Sequence, residues 1–292
     1  MKKCIMSKVY YKYCSQANHE SRDWRWMCGD GFGMLGKLPG RKMYMPCQKE
    51  IYTDAEAVAQ AAARQFARCA AAAIAARGVF HVALAGGSTP RRMYQLLAAA
   101  PYRESIAWQQ VQIYFGDERC VAPDHADSNY RLAWEALLQH VPIPAPNIHR
   151  IHGEAVDVNA AAEHYAQLLT QHMPHHEGWP CFDLVLLGMG DDGHTASLFP
   201  GTPALTEQRR GVAAVYVEKF SAWRITLTYP VINRAREVII TVTGPGKAQT
   251  LRQVFNGDRA AHFPVQAIRP QGRLLWLLDE EAASSLPAKE RS

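Results

Sequence analysis

The chain has no apolar run approaching the roughly 18 residues that a membrane-spanning helix needs, which excludes a helical membrane protein. It opens Met-Lys-Lys, but polar and charged residues interrupt it before the apolar stretch of a secretion signal can form, so no export signal is read. Cysteine pairing is missing too: there are seven cysteines, an odd number, and Cys4, Cys14, Cys28 and Cys47 show no C-x-x-C spacing. Neither a disulfide framework nor a zinc site is expected, and the thiols fit a reducing, cytoplasmic location. There is no G-x-S-x-G elbow and no cysteine in a catalytic signature, so no motif supports a covalent mechanism. The phosphate loop G-x-x-x-x-G-K-[ST] is absent, as is H-E-x-x-H. His172, His175 and His176 in "QHMPHHEGW" fall in an expected loop between Met-Pro and Gly-Trp, and no metal is expected there.

A uniform basic field is also lacking. The formal net charge is +5 over 292 residues, yet residues 1–50 alone hold ten Lys/Arg against four acids. The rest of the chain is therefore close to neutral and offers no general surface to nucleic acid. Any anion must bind locally.

What is present is an ordinary globular composition, 48% apolar, with a change of texture near residue 45. Residues 1–44 mix Trp, Tyr, Cys, Gly and Lys without a period and read as an atypical N-terminal extension, disordered or preceding a natural start at Met43 or Met45. Residues 45–292 read as one domain. "TDAEAVAQAAARQFARCAAAAIAARG" predicts a helix with Thr53 or Asp54 as N-cap and Gly78 as stop. Apolar strands follow in alternation with helices: "VFHVALA", "VQIYFGDER", "FDLVLLG", Val212–Val217, "RITLTYPVI", "REVIITVTG" and "LLWLL". That alternation predicts an α/β fold with a mainly parallel sheet covered by helices on both faces. In such sheets ligands bind beyond the carboxyl ends of strands. The rule selects Gly86–Pro90, Gly116–Arg119, Gly188–His194, the neighbourhood of Arg224, and Gly244–Lys247.

In "AGGSTP" the backbone of Gly86 and Gly87, the Ser88 and Thr89 hydroxyls and a helix start can converge on a phosphate; a plain helix cap is the equal alternative. "FGDERC" places Arg119 past a strand, suited to a bidentate anion contact or to a surface ion pair. The run Gly188-Met189-Gly190-Asp191-Asp192-Gly193 spells the dinucleotide-binding G-x-G-x-x-G. Asp191 and Asp192 would repel a pyrophosphate, however, and no strand-ending acid follows about 20 residues on. The same loop delivers His194, which suits general-base work if it is more than a solvated loop histidine. Arg224 and Lys247 add cations at other element ends, solvated if alone and a phosphate pocket if together.

These stretches resemble the 6-phosphogluconolactonases of the pentose phosphate pathway. The resemblance rests on "LAGGSTPRRMYQLL", "FGDERCVAPDHADSNYRLAWEALL", "FDLVLLGMGDDGHTASLFPG", "RITLTYPVINRAREVIITVTGPGKAQTL" and "GRLLWLLDEEAA", in the family's order, over about Thr53–Ala283. It implies a single Rossmann-like α/β domain related to the glucosamine-6-phosphate deaminase fold. It implies hydrolysis of 6-phospho-D-glucono-1,5-lactone to 6-phospho-D-gluconate, the second oxidative step of that pathway, without metal or other cofactor. By motif position, His194 would be the general base and Asp192 would organise its loop. Gly86, Gly87, Ser88, Arg119, Arg224 and Lys247 would hold the substrate, mainly its phosphate. The expected partner is the small sugar-phosphate lactone, bound by a monomer or weak homo-oligomer. Residues 1–44 have no counterpart in the pattern, and "EKFSAW" stands where the family carries a Pro-rich run. Deaminases follow Asp-Gly-His with an Asn-Glu-Pro-type segment, whereas this chain continues Thr195-Ala196-Ser197-Leu198-Phe199-Pro200. A non-catalytic sugar-phosphate sensor would bring a helix-turn-helix segment, and residues 1–50 show no such pattern.

Overall fold

The elements that position the site are, in chain order, β1 (Gln48–Tyr52), α1 (Ala55–Arg77), β2 (Phe80–Leu84), α2 (Ser88–Leu97), β3 (Val111–Phe115) and β4 (Asp117–Arg119). They continue with α3 (Asn129–Ala136), α4 (Val158–His172), β5 (Leu184–Gly188), β6 (Val212–Val217) and β7 (Ala222–Leu227). Last come β8 (Glu237–Val242), α5 (Ala248–Asn256) and β9 (Arg273–Asp279). The structure, a computed structural model, describes residues 48–256 and 263–288. The 1–44 extension and the start methionines Met43 and Met45 lie outside the described residues.

Helix α1 begins where the Asp54 carboxylate accepts the Ala57 amide at 2.8 Å. It stops at Gly78, whose φ of +75° lets its N–H reach the Ile74 carbonyl. Between these caps Val58, Ala62, Phe66, Ala70 and Ala73 are buried. The alanines allow a close approach to the sheet, and Phe66 meets Phe80 edge-on at 5.3 Å. Truncating a phenylalanine packed this way costs about 3–5 kcal/mol.

Six strands run parallel in the order β1-β9-β8-β5-β2-β3, flanked by helices. Every residue of β2 and β8 is buried, as expected where both faces of a sheet are covered. Edge strand β1, "QKEIY", is half exposed and charged and so carried no apolar signal in the sequence.

The expected continuous strand "VQIYFGDER" divides at Gly116. Its N–H donates to the Leu84 carbonyl and its own carbonyl accepts the Leu227 N–H, both at 2.9 Å. The chain thereby leaves the parallel sheet for a small antiparallel one, β4-β7-β6. "RITLTYPVI" divides too: β7 ends at Leu227, and Pro230 lies in the first turn of a short helix, Tyr229–Ile232, where its missing N–H is tolerated.

The four strand-end stretches after β2, β3, β5 and β8 come from neighbouring strands, since the order β8-β5-β2-β3 is continuous. Arg224 arrives separately, on β7, directly opposite Arg119 of β4.

Candidate active site

A cavity of about 260 Å³ opens at these carboxyl ends, lined among others by Gly86, Gly87, Gly116, Asp117, Arg119, Asn129, Gly188–Gly190, His194, Thr195 and Lys247. Five of the residues singled out in the sequence, Gly86, Gly87, Arg119, His194 and Lys247, thus share one space. Ser88, Asp192 and Arg224 do not line it. Ser88 opens α2 and is exposed, Asp192 stands behind His194, and Arg224 flanks Arg119.

The loop Gly188–His194 folds around the histidine. The Gly190 N–H donates to the His194 carbonyl at 2.9 Å, and Gly193 turns at φ +71°. A β-carbon on Gly190 would lie 2.0 Å from His194 Nδ1, so glycine there makes room for the ring. The ring stacks on buried Phe199 with centroids 4.0 Å apart. These contacts give the glycines a purpose other than holding a pyrophosphate.

Asp192 Oδ1 accepts His194 Nδ1 at 2.5 Å and the His194 amide at 3.1 Å, while its Oδ2 accepts Lys219 Nζ at 3.1 Å. Burial pushes the Asp192 carboxyl up, but the hydrogen bonds and charge of His194, with Lys219, outweigh it and hold the group down at about 2. An ionised partner makes Nδ1 the donor and leaves Nε2 as the ring nitrogen with a lone pair to accept a proton. Among the described residues, Asp191, Asp192 and His194 form the one grouping of His, Cys and carboxylates close enough to share a cation. Lys219 Nζ supplies that charge, 3.1 Å from both carboxylates. The expected loop is not what forms: His172 is the last residue of α4, its ring tilted 34° to that of His149 at 5.4 Å, and the exposed His175 and His176 form a two-residue strand paired with Trp179–Pro180.

The phosphate-type features collect on the other side of the loop. Helix α2 has Gly87 as its N-cap, at φ +112°, with no side chain capping it. Thr89, an expected cap, bonds Thr243 instead at 2.7 Å. The helix start thus keeps its amide donors for an anion. Arg119 and Arg224 face each other across β4 and β7, an unfavourable like-charge pair that a bound anion would relieve. Burial and then the Arg119 charge push the Arg224 guanidinium below its usual value.

Tertiary structure adds residues that sequence motifs did not single out. Asn129 donates Nδ2 to the Asp117 carbonyl at 2.9 Å and to its carboxylate at 3.2 Å, which aims Oδ1 at Gly86. A β-carbon on Gly86 would stand 1.9 Å from that oxygen. Asp117 also accepts the Ser197 hydroxyl at 2.6 Å, tying β4 to the chain just past His194. Asn129 Oδ1 and Thr195 Oγ1 are buried beside the cavity without a hydrogen-bond partner. "DERCVAPDHADSNY" contains two of these residues, but nothing local distinguishes Asn129 from a helix-start residue. Lys219 lies in the "EKFSAW" segment that departs from the family pattern.

The family model described as glucosamine-6-phosphate isomerases/6-phosphogluconolactonase matches residues 53–276. A 6-phosphogluconolactonase of Synechocystis sp. is 44% identical over 216 residues, 73% of this chain and 88% of the relative. The solved 6-phosphogluconolactonase of Trypanosoma cruzi superposes with a TM-score of 0.75 at 29% identity, covering 84% of this chain and 99% of that one. A monomeric glucosamine-6-phosphate deaminase, at 23% identity, shares the fold with a TM-score of 0.70 over 82% of this chain and 99% of its own.

Proposed function

The chain belongs to the glucosamine-6-phosphate isomerase/6-phosphogluconolactonase family, and we infer that it hydrolyses 6-phospho-D-glucono-1,5-lactone to 6-phospho-D-gluconate with His194 as general base. The observation that carries the mechanism is the Asp192–His194 pair at the rim of a cavity shared with Arg119, Lys247 and the Gly86–Gly87 turn.

A lactone carbonyl is already electrophilic, so the work lies in placing the ring and preparing water. The α2 amides, Ser88, Arg119, Arg224 and Lys247 hold the phosphate, which fixes C1 relative to His194. Nε2 removes a proton as water attacks C1, and Asp192 stabilises the imidazolium that forms. The tetrahedral intermediate collapses with cleavage of the bond between C1 and the ring oxygen, which takes up a proton. The acid product then releases a proton to solvent.

The reading includes no metal and no nucleic acid. What supports it is a cation position held by Lys219 and the near-neutral charge of the chain beyond residue 50. A cytoplasmic monomer or weak homo-oligomer is the accompanying proposal; no helix among the described residues is long and apolar enough to cross a membrane. The test is acid release in a pH-stat from freshly generated lactone, with and without a chelator, beside ammonia release from glucosamine 6-phosphate. Chelator-insensitive acid release without ammonia is expected. Ammonia release, or turnover abolished by the chelator, would overturn the assignment.

A further inference from the structure

The hairpin joining β6 to β7 ends in the turn Glu218–Phe220, closed by Ser221 at φ +48°. Two consecutive residues of this turn reach the His194 loop by different routes. Lys219 Nζ donates to Asp191 Oδ1 and Asp192 Oδ2. Phe220 packs edge-on against Phe199 at 5.7 Å, and Phe199 is the ring on which His194 stacks. The Asp192 carboxylate is therefore a bridge, with the imidazole on one oxygen and the Lys219 ammonium on the other.

Building on the reading of His194 as the base, we propose that Lys219 is a positioning residue for the hydrolysis: it fixes the far oxygen of Asp192 and sets a positive charge beside the Asp192–His194 pair. A carboxylate held by one donor pair alone is free to rotate about its Cβ–Cγ bond and to stabilise the imidazolium too well. The ammonium counters both tendencies. The charged groups around His194 are Asp191 and Asp192 on its own loop, Lys219 on the hairpin, Asp117 and Arg119 on β4, Arg224 on β7, and Lys247 just before α5. Of the cations, Lys219 is the one hydrogen-bonded to Asp192 among the described residues. Arg119 and Lys247 line the cavity where substrate charge would meet them.

The pH dependence of kcat/KM in Lys219→Met and Lys219→Gln, beside wild type, Lys219→Arg, Glu218→Gln and His194→Asn, tests this. Loss of one positive charge at such a site shifts the acidic limb upward by about half a pH unit in low salt. Both neutral variants should show that shift, with kcat down by roughly threefold to tenfold and KM within about twofold of wild type. Lys219→Arg should restore the limb, and Glu218→Gln should leave kcat unchanged. An unmoved limb with full kcat in both neutral variants, or a loss confined to KM, would overturn the role of Lys219. His194→Asn separates the two levels: if it keeps wild-type turnover, the base assignment itself is wrong, whereas its inactivity beside normal Lys219 variants removes the Lys219 proposal alone.

Discussion

Replacing Asp192 by Asn probes stability and chemistry through one carboxylate. The amide keeps the size of the side chain but loses the charge, so it cannot accept from Lys219, His194 Nδ1 and the His194 amide as the carboxylate does. The folded carboxyl titrates at about 2 instead of its ordinary 3.8. At about 1.4 kcal/mol per pH unit that difference has an upper limit of roughly 2.5 kcal/mol. A quarter of the side chain is exposed, and solvent screening reduces the contribution to about 1 kcal/mol. Because the folded value is the depressed one, this stability is fully present above about pH 4 and disappears as pH falls toward 2. Asp192→Asn should therefore melt roughly 2–4 °C below wild type at pH 7, and the gap should close with acidification. Its kcat should fall about 10²-fold or more, since an Asn amide that donates to Nδ1 puts the proton on Nε2, the wrong nitrogen for a base. Melting curves from pH 2.5 to 7 and pH-stat rates at pH 7 supply both readouts. A melting deficit equal at pH 3 and pH 7 would rule out the charge of Asp192 as the source of that stability, and more than half of wild-type kcat would rule out its role beside His194.

Gly86→Ala places a methyl group 1.9 Å from Asn129 Oδ1 and should cost about 1–3 kcal/mol in denaturant unfolding, with kcat/KM reduced; combined with Asn129→Ala, the two losses should add to less than their sum. Arg224→Ala should raise KM about tenfold with a smaller change in kcat, the pattern of a lost phosphate contact, measured as salt-dependent steady-state kinetics. Burial, then the charges of His172 and His81, hold His149 down at about 4, so the unfolded chain takes up its proton first as pH falls from 6.5 toward 4. Stability should decline over that window by about 1 kcal/mol after screening, and His149→Gln should flatten the decline in pH-dependent melting.

Much of the site was legible because it depends on strand ends. The stretches after β2, β3, β5 and β8 stood out as apolar runs ending in Gly, Asp or Lys, and those strands prove to be neighbours. Helix α1 was legible from its caps, Asp54 and Gly78. The remainder depends on contacts between distant segments. Strand β1 has a polar edge and no apolar period. Gly116 as the point of transfer between sheets, and the helical turn at Tyr229–Ile232, interrupt runs that look continuous in one dimension. Asn129 and Lys219 carry no local signature, because their importance lies in what they touch: Gly86 and Asp117 for the first, Asp191 and Asp192 for the second. Arg224 is legible in the sequence as a cation near an element end, but its place opposite Arg119 on a second sheet follows only from the pairing of β4 with β7.

In the proposed reaction a single imidazole, that of His194, prepares the attacking water. The most direct test of this step is the initial rate of acid release from fresh 6-phosphogluconolactone by wild type and His194→Ala, after subtraction of spontaneous hydrolysis. A loss of about 10²–10⁴-fold in kcat with KM little changed is the predicted result. A variant that retains nearly full turnover above the spontaneous rate would contradict it.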